Sequence, residues 1–302
     1  MVQPIVLGFR PDGLGARVVN IATGLYLARR LGRQFRYWWI HNGDVANATT
    51  WRYVFDDAKD PRLAMSEYIW DFFTGRPPMN SFIISQGMTL NEDSFTPESN
   101  IVFTWHYWLR FGSDTYAEMR AGLRQAAALM PPSRNVQAAI DAAPVETDLS
   151  RAIGVHVRRG DLIGGGPANE TRIIATEDYF RFLDAYFPDE DIFLCTEDVA
   201  IIEEFRQRYG RRVHAGVSKG FNRGSVADLQ QAYADMVLMS RCRAILGGLS
   251  AFNRAAAALG GQPLFNIVRS AHPSQTPAAR AVAELEALGD SDLLGRFASD
   301  HI

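Results

Sequence analysis

The sequence predicts an α/β fold built from doubly wound parallel sheets. Two patterns indicate it. Near the start of the chain, a short apolar run is followed by a stretch with apolar residues at helical spacing and then by a second apolar run. The same alternation recurs from Arg151 to Val268. The length of 302 residues, of which 47% are hydrophobic, suffices for one large core or two of ordinary domain size. Because the two patterns are far apart, we expect two domains.

The first pattern is a βαβ unit within residues 3–40. Ile5–Leu7 is a short apolar strand, and Arg10–Gly15 is a turn-rich loop. A helix with one apolar face then runs as far as Gly32, and Phe35–Ile40 supplies the second strand. Such units build parallel sheets because the crossover helix returns the chain in the same direction.

The middle of the chain, about residues 41–135, predicts few elements. It is rich in Trp, Phe and Tyr, and Pro77-Pro78 and Pro131-Pro132 interrupt any regular pattern. The polar stretch Pro144–Ser150 is the candidate domain boundary. We therefore expect domains at residues 1–147 and 148–302.

The second pattern alternates strands and helices without long gaps. The predicted strands are 152–157, 192–195, 212–214, 244–246 and 263–268, and the predicted helices begin near Thr176, Val199 and Val226 and after Ser250. This regular alternation predicts a doubly wound α/β domain.

The composition excludes several classes of partner. A net charge of -3 and a pI near 6.1 give no general attraction to nucleic acid or to an anionic membrane. No apolar run approaches the roughly 20 residues that span a bilayer, and the first ten residues do not resemble a signal peptide. We expect a cytoplasmic protein without a transmembrane segment, with Cys195 and Cys242 as reduced core thiols.

Ligands bind beyond the carboxyl ends of parallel strands, where four loops of this sequence fall. They are Arg10–Gly15, Arg158–Glu170, Thr196–Asp198 and Gly247–Ser250. In the second loop a strand leads directly into two adjacent arginines, whose planar guanidinium groups suit the oxygens of a diphosphate. The alternative is a solvated surface pair.

Three further polar residues each have a structural and a functional interpretation. Ser250 follows two glycines and could cap a helix, bind phosphate, or do both. His156 could be a buried core histidine. Asp228 comes three residues after Ser225, a spacing typical of a capping box.

Metal chemistry has little support in the sequence. There is no HExxH and no Cys-x-x-Cys, and the six histidines are scattered. Asp189-Glu190-Asp191 spells the DxD of many metal-dependent sugar transferases, but it precedes its strand and would lie at the edge of the sheet opposite the arginines. We therefore expect no metal and no other cofactor.

Four segments in order resemble the fucosyltransferase superfamily, which includes α1,2-, nodulation-type and core α1,6-, and protein O-fucosyltransferases. They are GLGARVVNIATGLYLARRLGR (13–33), VHVRRGD (155–161), IFLCTED (192–198) and DMVLMSRCRAILGGLSAF (235–252). Region 41–150 has no counterpart. Ser250-Ala251-Phe252 lacks the tryptophan-rich continuation of the α1,2 branch, which favours the α1,6 or O-fucosyl side.

The resemblance implies a GT-B-like pair of facing, Rossmann-like α/β domains and an inverting, metal-independent transfer of fucose from GDP-fucose to a glycan or lipid-linked acceptor. Domain 1–147 would face the acceptor and domain 148–302 would bind the nucleotide sugar. Carried over by position, the donor-binding residues would be Arg159 on the β-phosphate, Arg158 beside it, His156 on the nucleotide, Asp228 on guanine or ribose, Ser250 and Ala251 at the phosphates, Asp198 near the base, and Gly13 and Gly15 in the glycine-rich turn.

An inverting transfer needs a group that takes the proton of the acceptor hydroxyl. The resemblance to core α1,6 enzymes implies Glu170, beyond Gly164–Gly166, as this base. The alternative is a solvated loop glutamate, because some O-fucosyl relatives work without an enzymic base. Asp161 would hold the loop or an arginine in place.

Two other functions stay open at this stage. The same scaffold could transfer a different nucleoside-diphosphate sugar, or it could bind nucleotides or glycans without turnover. A phosphatase or kinase is disfavoured because the sequence has neither a nucleophile motif nor a P-loop.

Overall fold

The computed structural model describes residues 4–40, 51–56, 63–66, 81–84, 95, 99–104, 111–163, 166, 172–216, 225–248 and 250–267. The chain divides into two compact units. Unit 1 is Met1–Ala138 with Arg223–Tyr233, and unit 2 is Ala139–Asn222 with Ala234–Ile302. The domain boundary at 147/148 stays a prediction.

Unit 1 contains a five-stranded sheet in the order β3-β2-β1-β5-β4, in which every neighbouring pair is parallel. The strands are β1 (Ile5–Phe9), β2 (Gln34–Trp38), β3 (Leu63–Ser66), β4 (Ser81–Ile84) and β5 (Asn100–Phe103). Its helices are α1 (Leu14–Arg30) and α2 (Tyr116–Ala127), and α3 (Arg134–Asp141) begins in unit 1 and ends in unit 2. The predicted βαβ unit is confirmed as β1, α1 and β2.

Helix α1 is the central helix of unit 1. Every residue from Ala16 to Ala28 is buried, as expected for a helix covered on all sides. Gly8 and Gly24 leave room for the Phe35 ring, which a Cβ at either glycine would meet. Gly32 follows the helix with φ of 62°, a left-handed conformation that favours glycine, so the predicted end of the helix is confirmed.

Unit 2 contains the second parallel sheet, in the order β10-β9-β6-β7-β8. Its strands are β6 (Ile153–Val157), β7 (Ile192–Thr196), β8 (Val213–Ala215), β9 (Ala244–Gly247) and β10 (Leu264–Asn266). The helices of the same stretch of chain are α4 (Thr176–Tyr186), α5 (Val199–Tyr209), α6 (Val226–Met239) and α7 (Ala251–Gly260). The predicted alternation of strands and helices is confirmed element by element. Helix α6 begins in unit 1 and ends in unit 2.

The core of unit 2 lies against β6, all five residues of which are buried. Ile153, Val155 and Val157 point to one face, as the period of two requires, and pack in a cluster with helix residues such as Leu183 and Phe205. Cys195 and Cys242 are free thiols, both buried as predicted, and burial raises the pKa of each.

The middle of the chain is more regular than the sequence predicted. Strands β3 to β5 and helices α2 and α3 all fall in or just beyond it. Thr115 and Glu118 form a reciprocal capping box at the start of α2, a sequence signal that was present but overlooked. Among the described residues, no helix has the length and apolarity needed to cross a membrane.

Candidate functional site

The chain order of unit 2 creates a crevice between β6 and β9. Strands β7 and β8 follow β6 on one side, whereas β9 and β10 lie on its other side, so the loops that leave β6 and β9 diverge. His156 of β6 pairs in register with Gly247 of β9. Arg158 and Gly248, which follow the two strands, therefore both lie at this crevice, at the carboxyl edge of the sheet.

Arg159 is a deeply placed cation at this edge, with only 8% of its surface exposed. Its Nη2 donates to Thr176 Oγ1 at 3.3 Å, and its Nη1 donates to the Arg158 carbonyl at 3.4 Å. Both hydrogen bonds are long, and the described residues make no others to this guanidinium. Arg159 is thus oriented while several of its donors stay available to an anion.

The backbone of the arginine turn is held by a carboxylate from the next strand. Glu197, directly after β7, accepts the N–H of Arg159 at 2.7 Å and the N–H of Gly160 through the same Oε1. Arg159 has φ of -126° and ψ of -58°, so the chain leaves the strand conformation at this residue. The holding role predicted for Asp161 stays a prediction, since the side chain of Asp161 lies outside the description.

Ser250 lies across the crevice, at the start of α7. It is buried and caps the helix, because its Oγ accepts the Phe252 N–H at 3.2 Å. Asn253 Nδ2 donates to the Gly248 carbonyl at 2.7 Å and so braces the turn before the helix. The capping prediction is confirmed. Contacts of Ser250 and of the adjoining Ala251 with phosphate stay predictions.

His156 is buried within β6, as one of its two interpretations required. Its ring stacks on Phe252 of α7 with centroids 4.6 Å apart and planes at 23°. Its carbonyl accepts the Tyr179 hydroxyl at 3.2 Å, and burial raises the pKa of Tyr179, although the charge of Arg159 opposes that shift. His156 therefore joins β6 to α7. A contact with the nucleotide stays a prediction.

Two predicted site carboxylates lie at helix starts. Asp198 caps α5, since its carboxylate accepts the Ala200 N–H at 2.9 Å. Asp228 lies in the first turn of α6 and donates its N–H to Ser225 Oγ at 3.0 Å, which confirms the serine half of the predicted capping box. Asp228 belongs to the part of α6 within unit 1. Both carboxylates are half-buried.

The glycines of the first loop belong to unit 1. Gly13 precedes α1 with φ of -62° and ψ of 170°, a conformation open to any residue, and a Cβ there would find nothing within 4 Å. Neither the backbone nor the packing of the described residues requires glycine at this position. Gly15 lies in the first turn of α1. Glu170, the predicted base, lies outside the described residues.

A cavity of about 290 Å³ lies in unit 1. Its lining includes Arg52, Tyr53, Asn135 and Gln230. Gln230 Nε2 donates to the Tyr53 carbonyl at 2.9 Å, and Ser133 Oγ donates to the same carbonyl at 2.9 Å. The cavity is therefore bounded by three segments that hydrogen bonds hold together.

The acidic triplet lies where the sequence predicted, before β7 and at the amino edge of the sheet. Thr147 Oγ1 donates to Asp191, and His214 Nε2 lies 3.8 Å from the same carboxylate. Within the described part of the chain, no three His, Cys, Asp or Glu side chains are grouped in a way that could hold a metal ion.

Two parallel α/β sheets, one with an arginine turn and a serine-capped helix at its switch point, define a GT-B-like fold of the glycosyltransferase type. The fold class predicted from the sequence is confirmed.

Solved structures identify the fold more narrowly. The NodZ α1,6-fucosyltransferase co-crystallised with GDP is 18% identical to this chain, with a TM-score of 0.55 over 90% of this chain and 97% of NodZ. Selenomethionine NodZ from Bradyrhizobium is also 18% identical, with a TM-score of 0.57 over 91% and 98%. A mutant of Arabidopsis thaliana FUT1 in complex with GDP is 14% identical, with a TM-score of 0.53 over 89% and 71%.

The chain therefore has the fold of the fucosyltransferase superfamily that its motifs resemble. No protein-family model and no curated protein sequence matches it.

Sequence reasoning did not assign a role to three residues that build this site. They are Thr176, Glu197 and Asn253. The turn containing Glu197 was recognised as a ligand-side loop, but its contact with the arginine turn spans 38 positions and depends on the pairing of β6 with β7.

Proposed function

We propose that this protein is an inverting, metal-independent glycosyltransferase that moves fucose from GDP-fucose to a glycan or glycolipid acceptor. The observation that carries the proposal is the Arg159 guanidinium, which is mostly buried at the switch point of a parallel sheet and which the described residues hold by two long hydrogen bonds. A buried arginine with donors to spare suits a ligand that brings several negative oxygens.

The fold supports the choice of nucleotide and sugar. NodZ has been crystallised with GDP and soaked with GDP-fucose, and FUT1 with GDP. The parallel sheet of unit 2, with arginines at its switch point, suits the diphosphate of such a donor. Ser250 and the N-terminus of α7 would add partial positive charge across the crevice.

In the proposed reaction the acceptor oxygen bonds to the anomeric carbon of fucose as the bond from that carbon to the β-phosphate oxygen breaks. Attack from the face opposite GDP inverts the anomeric centre. Arg159, with Arg158 beside it, neutralises the charge that develops on the departing diphosphate. Because these cations belong to the chain, the step needs no metal ion.

The acceptor hydroxyl loses its proton to a carboxylate, which we assign to Glu170. Asp161 would stay in the loop as a holding group. The remaining donor contacts follow the resemblance: His156 and Asp198 near the nucleotide, and Asp228 on guanine or ribose.

The glycine-rich turn of unit 1 would approach the donor with its backbone. Gly13 supports this assignment because neither its conformation nor its packing explains a glycine there. Gly15 follows it in the same turn.

We assign the acceptor to domain 1–147 and the nucleotide sugar to domain 148–302. The cavity in unit 1, lined by arginine, tyrosine and amide side chains, supports this assignment because such groups suit the hydroxyls and ring faces of sugars. We also propose a cytoplasmic location. Two buried, unpaired cysteines suit a reducing compartment.

A thermal-shift panel followed by a transfer assay tests the proposal. We expect GDP and GDP-fucose to raise Tm, and matched concentrations of UDP, CDP and ADP sugars to leave it unchanged, because a ligand stabilises only the state that binds it. Release of GDP from GDP-fucose should then depend on an added glycan. A shift with another nucleotide would contradict the assignment of the donor, and GDP binding without acceptor-dependent release would identify a binding protein.

A further inference from the structure

We infer that Glu197 is a positioning residue that holds the arginine turn in the conformation that binds the donor diphosphate. The inference rests on the proposed role of Arg159. It concerns a carboxylate that touches neither reacting atom and acts through its neighbour on the adjacent strand.

The contacts define the role. Oε1 of Glu197 accepts two successive backbone N–H groups, from Arg159 at 2.7 Å and from Gly160. Hydrogen bonds from N–H groups to an ionised carboxylate are among the stronger ones in proteins. They fix the chain at the point where it leaves β6, and so they fix where the Arg159 side chain begins.

Gly160 lies close against this carboxylate. A Cβ on Gly160 would lie 2.8 Å from Glu197 Oε1, closer than a Cβ normally approaches another heavy atom. The backbone of Gly160 does not have a positive φ, so a side chain at this position would displace Glu197 rather than strain the backbone. The backbone of the RRG sequence and the carboxylate of Glu197 are thus packed directly against each other.

Two successive N–H groups that point to one spot form a nest, which commonly binds an anionic ligand. In this turn the chain's own carboxylate occupies the nest. The diphosphate is therefore left to side chains such as Arg159, whose guanidinium hydrogen bonds among the described residues go to Thr176 and to the Arg158 carbonyl. Thr176 holds the other end of Arg159, at Nη2, so the residue is restrained at both its backbone and its guanidinium.

A positioning role and a purely repulsive role for Glu197 predict opposite changes in GDP affinity when the carboxylate is removed. A carboxylate near a diphosphate repels it, so if Glu197 did nothing else, its removal would tighten GDP binding. If it positions the turn, its removal frees a flexible arginine and weakens binding.

The experiment measures GDP dissociation constants by calorimetry for the full-length protein and its variants. We expect Glu197→Ala to raise the Kd about 10- to 100-fold, the range for losing hydrogen bonds to a charged group. Glu197→Gln keeps an oxygen that accepts both N–H groups, so its Kd should stay within about threefold of the unmodified protein. Glu203→Ala is the matched control, a glutamate in an exposed ion pair with Arg206 at 3.2 Å, and it should leave the Kd unchanged.

A second substitution covers the case in which Glu197→Ala fails to fold. Gly160→Ala keeps Glu197 but places a Cβ against its Oε1, so it should also weaken GDP binding about tenfold or more if the glutamate holds the turn. Equal Kd values for Gly160→Ala and the unmodified protein would contradict the inference.

A double-mutant cycle separates positioning from general destabilisation. In an Arg159→Lys background, Glu197→Ala should change the GDP Kd less than threefold, because the residue through which it acts has already been altered. Additive effects, or tighter GDP binding by Glu197→Ala, would overturn the inference. Unchanged GDP binding by Arg159→Lys alone would instead contradict the proposed function.

Discussion

Arg159 and Arg212 lie at opposite edges of the same sheet and are used differently. Arg212, just before β8, donates to the Glu190 carbonyl at 2.9 and 2.6 Å and to the Phe187 carbonyl at 3.0 Å. Arg159, after β6, makes bonds of 3.3 and 3.4 Å through its guanidinium, and no others to the described part of the chain. The amino-edge arginine ties loops together, whereas the carboxyl-edge arginine keeps its donors available.

The carboxylates show the same contrast. Asp191 at the amino edge engages Thr147, within its own unit, and the DxD motif to which it belongs faces away from the switch point. Glu197 at the carboxyl edge orients the arginine turn. Position on the sheet, rather than the motif alone, therefore separates the charges that join structural elements from those that we propose to serve the donor site.

The largest expected effect tests the chemistry at the carboxyl edge. Glu170→Gln removes the proposed base, so kcat should fall about 10²- to 10⁴-fold while GDP affinity stays nearly unchanged. Steady-state transfer kinetics with saturating acceptor, together with a GDP titration, measure both quantities. Near-normal turnover would show that Glu170 is not the base.

The next effect compares the two arginines directly. Arg159→Lys keeps the charge but loses the planar fork of donors, so the GDP Kd should rise about 10- to 100-fold, with a parallel loss of turnover. Its free energy of unfolding should change by less than about 0.5 kcal/mol, since the lost bonds are long.

Arg212→Lys should behave in the reverse way. Loss of its bonds to two carbonyls should lower the free energy of unfolding by about 1–2 kcal/mol and leave GDP affinity intact. Urea unfolding measures the free energy of unfolding of both variants, and GDP titration measures their affinities. If the two variants lost GDP affinity equally, the distinction between the edges would fail.

A smaller effect is expected at the glycine-rich turn of unit 1. Serine is a preferred residue before a helix and fits the conformation of Gly13, so Gly13→Ser should leave the free energy of unfolding unchanged or raise it by roughly a few tenths of a kcal/mol. If the donor approaches this backbone, the new side chain should still raise the KM for GDP-fucose several-fold. A more stable protein with unchanged KM would remove Gly13 from the donor site.

The smallest expected effect is that of metal removal. Excess EDTA should leave the transfer rate within experimental error, because arginines and a helix N-terminus neutralise the leaving group. Activity lost to EDTA and restored by Mn²⁺ would bring Asp189 and Asp191 back as candidate ligands, and with them the amino edge of the sheet.

The sequence predicted unit 2 well because its signals are local. Strand β6 is a mostly apolar, fully buried run that two arginines follow, and Ser250 stands directly before its helix. Strands β4 and β5 of unit 1 were missed because they are four residues long and lie among aromatic residues without a clear period. Strand β5 pairs with β1, far away in sequence, and tertiary pairing of that kind leaves no local mark.

The candidate site was predictable to the extent that single residues carry their own chemistry. Adjacent arginines at a strand end indicate an anion site on their own. The role of Glu197 could not be predicted in this way, because it arises only when the pairing of β6 with β7 brings the end of one strand beside the end of the other.

The two buried cysteines of unit 2 allow its local opening to be measured. A thiol with a raised pKa and no exposure reacts with a labelling reagent only when the structure around it opens. Labelling rates at Cys195 in β7 and at Cys242 before β9 thus measure how often the structure opens locally on each side of β6. A bound nucleotide would slow both rates by the factor with which it favours the closed state, and because both thiols are already in the chain no substitution is needed.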